Sequence, residues 1–516
     1  MQLTRVQRCV ALGVGILSVL TAVGCGSYGG SPTLINPKGN FSNASLNGAY
    51  VYEIHGASQS NLGNFSPYRE VGVFIADGQG NIGKSTPGSD DASFSANGVG
   101  VTGTYTVAQD GTGSITMTSQ LGTINLALTM VSNAKAYLME ADGIGTTGLG
   151  VNAVGVAESQ ASGAASTTPT GAFAFRIHEE VSLTGGPESQ VGAFNASASG
   201  INGAMDQNAA GTFTSPSIGW TFNAPGALGR GTGTYTNSAT NVTNNFIYYI
   251  VSSSKVDILL IDVGVVGSGT AEAQSGAIGN GLSGTYAFGS AGDDNNCASG
   301  LCGTVAAVGE FNAGGGNMTG VEDSDVDGNI SSNSPTSGCL TPSASGRVVV
   351  VSVSGNSCST SVTEVFWMVN PNRGFFLDAS PTSFDDGTAD LQTTSNFSSS
   401  TLTGQFALLM GGIDASQTQF GLPVQMLTRV GTLQFNSGGK LALNELANSS
   451  NSGGGGQSPG ILTGTQTTAT NGRITGSASN GSGGVDFVMY AVSGSQAYVL
   501  QNDTGVITAG TLELQP

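Results

Sequence analysis

Very few residues in this 516-residue chain could do chemistry. Two histidines, six cysteines and one run of alternating aspartates stand out against 82 glycines and a charged content of only 9%. His55, after Glu53-Ile54, and His178, after Arg176-Ile177, fall at the same place in two copies of a repeat. An imidazole there could act as a general base or a zinc ligand, but no Cys or second His lies near either in the sequence. No Gly-x-Ser-x-Gly elbow accompanies them, so a surface or barrel-mouth position is expected and a surface hydrolase is the alternative. In Asp323-Ser324-Asp325-Val326-Asp327-Gly328, carboxylates at every second position precede a glycine. Such spacing suits a hard, oxygen-seeking cation and makes Asp323, Asp325 and Asp327 candidate calcium ligands. The competing reading is an acidic strand entering an Asp-Gly-Asn hairpin turn. No other cofactor is implied.

Strands must position these residues. LALTMVSNAKAYLMEAD ends at Asp142, FIYYIVSSSKVDILLID at Asp262, EVFWMVNPNRGFFLDAS at Ser380 and FVMYAVSGSQAYVLQND at Asp503. Each is an apolar strand, a polar turn and a second apolar strand, the pattern of a β-hairpin. The marker residues Val131, Val251, Val369 and Val492 are 120, 118 and 123 residues apart. Lys135, Lys255 and Arg373 align with Gln496, and Asp142, Asp262 and Asp503 with Ser380; these are expected to be solubility residues flanking a turn. Each repeat opens on Gly-x-aromatic (Gly48 to Tyr50, Gly171 to Phe173, Gly284 to Tyr286, Gly404 to Phe406). It closes on a strand of the type Gly269-Thr-Ala-Glu-Ala-Gln274, matched by Gly155 to Gln160, Gly387 to Gln392 and Gly510 to Gln515.

The fold class that follows is all-β, with four tandem antiparallel domains of about eight strands each and almost no helix. Expected boundaries are a signal over 1–25, a flexible tether over 26–43, and repeats over 44–161, 162–280, 281–395 and 396–516. A flat eight-stranded meander exposes two edges, and closing it into a barrel removes them; a sandwich is the structural alternative. The opening Gly-x-aromatic strand and the strand count are loosely similar to avidin-like and lipocalin-like barrels. That resemblance implies an alternative role as carrier of a small hydrophobic ligand in the barrel interiors. The Asp323 run resembles the start of an EF-hand-type loop, though Ser334 stands where that loop has its bidentate Glu and no flanking helices are predicted. Variable loops such as Ser85–Gly98 and Ser450–Ser458 are where recognition would sit.

The N-terminus supplies an address. Arg5 and Arg8 precede an apolar run, Val10–Val23, that is short for a membrane span of about 20 residues. Ala22-Val23-Gly24-Cys25 resembles the lipobox of bacterial lipoproteins, which implies acylation at Cys25. With Gly26 rather than Asp next, the resemblance implies an outer-membrane anchor. Once the signal leaves, twelve basic residues face 33 acidic ones, a balance of −21 that repels nucleic acid. The four cysteines left after Cys9 and Cys25, namely Cys297, Cys302, Cys339 and Cys358, all fall in repeat three and read as two disulfides. Three pairings are possible; Cys297–Cys302 and Cys339–Cys358 are favoured. The reading is a non-enzymatic, membrane-anchored surface protein that binds an unknown protein, glycan or small ligand.

Overall fold

The computed structural model describes residues 39–60, 65–91, 96–120, 122–142, 149–181, 186–294, 304–355, 357–416, 425–449, 460–481 and 483–516. The expected signal and lipidation site at Cys25, the cysteines Cys297 and Cys302, and the expected Ser450–Ser458 loop lie outside them. Among the described residues there is no α-helix, only strands and four short 3-10 turns. The strands close into four antiparallel barrels. Barrel one runs from Asn47–Ser60 to Leu149–Ser159, barrel two from Ala172–Val181 to Val265–Ala273, barrel three from Gly284–Asp294 to Ser383–Leu391, and barrel four from Gly404–Asp414 to Val506–Leu514. Barrels one, three and four have eight strands. Barrel two closes through pairing of Pro187–Asn195 with Gly203–Ala209, and a short ninth strand, Thr212–Thr214, lies outside the closed circuit. Every strand in barrel one pairs with its sequence neighbours, and the last returns to the first from Tyr50↔Ser159 to Ser60↔Leu149. Ser85–Gly98 is largely wall, not loop: Asn81–Asp91 and Ala96–Val107 extend through it.

Two glycine positions recur for reasons of shape. Gly48, Gly171, Gly284 and Gly404 start the opening strands at φ between +93° and +109°, a region costly for any residue with a Cβ. The aromatic residue two places later then enters the barrel core, where Tyr50, Phe173, Tyr286 and Phe406 are at most 1% exposed. In the closing strands, a Cβ on Gly155, Gly269, Gly387 or Gly510 would come within 2.3 Å of a backbone oxygen in the opening strand. These glycines let the first and last strands approach closely enough to close the wall.

Side chains fill the interiors. Barrel one holds Tyr50, Phe74, Tyr105, Met117, Leu128 and Leu138 among others. Barrel two is packed with rings, Trp220 stacking on Phe194 at a centroid distance of 4.5 Å.

The hairpins are apolar on both faces because both are buried. In Gly122–Ser132, Leu126, Leu128 and Met130 point into barrel one, while Ala127 and Val131 point out against Ala407, Leu409 and Val430 of barrel four. The same packing joins the other barrels. Ile247, Tyr249 and Val251 of barrel two cover Val51, Val71 and Val73 of barrel one. Val365, Trp367 and Val369 of barrel three cover Ala174, Val191 and Ala193 of barrel two. Val488, Tyr490 and Val492 of barrel four cover Ala287, Ala306 and Val308 of barrel three. Each barrel therefore offers its first two strands to the hairpin of the next, and barrel four offers its own to the hairpin of barrel one. Four head-to-tail contacts close a ring, and each marker valine lies buried in a different contact.

The contact between barrels four and one is the only one of the four bridged by no linker. Gln515 and Phe41 meet there on Gly111, whose Cβ would lie 2.6 Å from Gln515 Nε2 and 2.9 Å from Phe41. Gly472, beside the linker into barrel four, is packed the same way by Gln392 and Phe397. Residues before barrel one thus stand in for a linker. Joining position 516 to position 39 through a short Gly-Ser segment, and opening the chain between barrels two and three, should leave the ring folded. Its circular dichroism spectrum and unfolding temperature should stay within a few degrees of the parent, the behaviour of permutants whose ends are close.

Candidate functional site

The polar chemistry of the molecule collects where barrels meet. In the closing strand, the acid and the glutamine two residues later both reach into the next barrel. Glu158 pairs with Lys255 and Glu272 with Arg373; Asp390 accepts from Gln496 at 3.2 Å, and Glu513 closes the ring on Lys135 at 2.5 Å. Gln160 donates to the carbonyls of Leu228 and Ile250, Gln274 to Ser345 and Met368, Gln392 to Asn471 and Ala491, and Gln515 to Asp110 and Met130. Lys135, Lys255, Arg373 and Gln496 are therefore inter-barrel contacts and not solubility residues. Asp142 and Asp262 instead hold the start of their own hairpins, accepting from the backbone and side-chain N–H groups of Asn125 and Asn245.

A second device was missed in the sequence. At the contact between barrels two and three, Arg347 grips Asp206 through Nε at 2.7 Å and Nη2 at 2.5 Å, and Trp367 Nε1 donates to the same carboxylate at 2.8 Å. Between barrels three and four, Arg473 holds Asp323 in the same way, with the Tyr490 hydroxyl at 2.6 Å. Bidentate pairs of this kind are strong and directional. Their cross-strand registers coincide: Arg347↔Trp367, Arg473↔Tyr490 and, at the closing contact, Thr112↔Thr129. Likewise Val191↔Asp206 and Val308↔Asp323 correspond to Val430↔Leu446. The contact between barrels four and one thus lacks the clamp. A cavity of about 170 Å³ lies there instead, lined by Thr112, Thr129 and Leu446 with their neighbours. The legible signal was an arginine at the head of the fifth strand in three of four repeats.

His55 and His178 have different fates. His55 is exposed and touches Glu53 at 3.2 Å. Burial pushes Glu53 up, but His55, the Ser268 hydroxyl of barrel two and Arg69 outweigh it and bring the acid to about 2. His178 is pinned between barrels two and three, with Nδ1 3.0 Å from Asp386 and Nε2 3.4 Å from Asp293. Burial disfavours its charge, yet the two carboxylates win and raise it to about 10. Ser189 completes a Ser–His–Asp group, but its hydroxyl and Asp386 approach the same ring nitrogen, at 3.1 and 3.0 Å. A triad needs them on opposite nitrogens so that one can take the serine proton. Here Ser189 donates to the Phe384 carbonyl at 2.8 Å, and the group is a buried ion cluster.

The Asp323 run is strand and turn. Asp327-Gly328, with φ of +53° and +79°, is the two-residue turn between Asn317–Val326 and Asn329–Pro342. Asp323 is occupied by Arg473, and among the described residues no three His, Cys, Asp or Glu side chains converge as a metal cage. Cys339 and Cys358 are joined by a disulfide. In barrel three, Glu364 and Asp378 lie opposite one another on adjacent strands. Burial, with Glu322 and Asp385 nearby, lifts each to about 8. A cavity of about 210 Å³ at one end of barrel three is lined by Asn280, Leu282, Ser283, Gly314 to Gly316, Leu340, Pro342 and Val348.

No protein-family model matches the chain, and no characterised protein matches it in sequence. Among solved structures, it is similar to a point mutant of the vaccine antigen transferrin binding protein B from Haemophilus parasuis Hp5. The identity is 11%, over 94% of this chain and 99% of that one, with a TM-score of 0.18. Transferrin binding protein B from serogroup B Neisseria meningitidis is 8% identical over 73% of this chain and 82% of that one, with a TM-score of 0.18. The intact two-lobed Ap-TbpB is 10% identical over 73% and 83%, with a TM-score of 0.15.

Replacing Asp206 by Ala strands Arg347 and the Trp367 N–H, and should cost about 3–5 kcal/mol in chemical denaturation followed by tryptophan fluorescence. Leu446→Ala at the clampless contact should cost less. The titrating groups set a pH trend. His178, raised above its unfolded value of about 6.5, contributes stability that is complete below that pH and lost as pH climbs to about 10. Glu364 and Asp378, also raised, favour the fold once protonated and oppose it as pH rises from about 4 to 8. Stability should fall from pH 6 to pH 9, and Glu364→Gln should flatten the lower part of that slope.

Proposed function

We propose that this chain is a lipid-anchored cell-envelope protein whose barrel ring is a rigid, non-enzymatic platform for binding a macromolecular partner, protein or glycan. The observation that carries the reading is the filling of all four interiors. A carrier of small hydrophobic molecules needs an enclosed cavity of about 300–1,000 Å³, whereas buried aromatic and aliphatic side chains pack together inside each barrel. A hydrolase built on His178 lacks a free nitrogen for Ser189, and among the described residues His55 meets Glu53 as the one polar side chain that could orient it. What remains is surface: strand ends and connections carried by a framework braced at four contacts.

Anchoring follows from the lipobox-like Ala22 to Cys25 stretch. One acyl chain holds a protein reversibly, whereas two or three make release slow. The acidic balance keeps the body off anionic headgroups and polyphosphates.

Alkyne-palmitate fed to expressing cells should label the wild-type chain and not Cys25→Ala, which should leave the membrane fraction. Equal labelling of both would end the anchor. The mature ring, immobilised and screened against envelope proteins and glycans, should retain a partner from one of those classes. Apolar lipid released in stoichiometric amount on denaturing the purified protein would instead install the carrier reading.

A further inference from the structure

The strand-three position two residues beyond the clamp aspartate does the same work at two contacts. Asn208 Nδ2 donates to three backbone carbonyls of barrel three, Asp378 at 2.9 Å, Ser380 at 2.7 Å and Ser383 at 2.9 Å. Asn448 Nδ2 donates to the Glu140 carbonyl of barrel one at 2.8 Å. Both amides supply N–H groups to a loop end made of acceptors. Between barrels three and four the residue at that place is Asp325, two beyond Asp323, which repeats the role of Asp206.

Asp325 is 0% exposed, and neither carboxylate oxygen has a hydrogen-bond partner among the described residues. The Gly328 N–H is nearby without completing a hydrogen bond, and Asp327 adds a second negative charge. The turn beside it is seated as its counterpart is. A Cβ on Gly211 would touch the Pro381 carbonyl of barrel three at 2.4 Å, and one on Gly328 would lie 3.1 Å from Gly505 of barrel four. By this correspondence the equivalent of the carbonyls capped by Asn208 is the Gln501–Val506 stretch, opposite the strand end that carries Asp325. A carboxylate in the place of that amide offers the facing carbonyls no donor, and a buried charge without a counter-charge is costly.

We propose that Asp325 and the facing main-chain carbonyls of barrel four bind a hard divalent cation of the calcium type, which takes the place of the missing amide and locks barrel three to barrel four. Oxygen ligands of mixed carboxylate and carbonyl origin suit calcium, and the absence of a third acidic side chain places the site in the weak range, about 10⁻⁴–10⁻³ M. It differs from a calcium loop read along the Asp323 run, because Asp323 already belongs to Arg473 and the remaining ligands come from another barrel.

The test compares the wild-type chain with Asp325→Asn, which restores the amide found at the sister contacts. After EDTA treatment, millimolar calcium should raise the wild-type unfolding temperature by about 2 °C or more, and terbium should bind with luminescence competed by calcium. Asp325→Asn should match or exceed the calcium-loaded wild type without calcium, and should respond to neither ion. Wild-type protein indifferent to calcium and terbium would overturn the assignment. So would an Asp325→Asn protein that still binds them. If indifference came with stability rising as pH falls through about 6, a proton and not a cation would fill the place, which also overturns it.

Discussion

Everything in this molecule depends on burying the outer face of a hairpin. An isolated barrel covers one face of each strand and leaves the other to water, so its outward residues should be polar. Here the outward residues of the hairpins, Val131 and Met139 in barrel one or Val365 and Trp367 in barrel three, are as apolar as the inward ones. They are paid for only when a second barrel covers them. Because the covering surface lies on different strands from the covered one, the contact is head-to-tail, and such contacts either close or propagate. Four barrels close. The chain achieves within itself what a cyclic tetramer achieves by assembly.

Closure explains the composition of the closing strand. Its glycine lets first and last strands touch, its acid meets a cation or amide of the next barrel, and its glutamine caps that barrel's carbonyls. One six-residue motif therefore serves the barrel it ends and the barrel that follows. Repetition of such a motif is selected by architecture, without any shared ligand. The parts that differ between repeats, such as the clamp aspartates at Asp206 and Asp323 against Leu446, set how tightly each contact is held.

Barrel number, all-β class and neighbour-to-neighbour pairing were legible from hairpin spacing, because period and alternation are local properties of the chain. The ring was not. A residue apolar on both faces reads the same whether it lies under a helix, a sheet or a second barrel, and nothing local says which. Lys135, Lys255 and Arg373 were misread for a related reason. A cation beside a turn is most often solvated, and only the matching acids, 97 residues upstream of Lys255, 101 upstream of Arg373 and at the far end of the chain for Lys135, show otherwise. His178 was expected at a surface or barrel mouth and is instead buried between barrels two and three, which the sequence could not show because Asp386 and Asp293 belong to another barrel. The Asp327-Gly328 turn, by contrast, was readable from its own two residues, which already specify positive φ.

The internal repeat supplies a control that single sites lack. When the same place is occupied by Asn208, Asp325 and Asn448, the two amides define what the environment asks for, and the aspartate is measured against them. An environment of carbonyls asks for donors, and a carboxylate supplies none. The same logic applies at Thr112, where the three sister contacts carry arginine and this one carries a hydroxyl beside a cavity. The contact between barrels four and one therefore lacks both clamp and linker, while retaining its apolar patch, the Lys135–Glu513 pair and the amide caps of Gln515 and Asn448. With neither clamp nor linker, this contact is where thermal opening of the ring should begin.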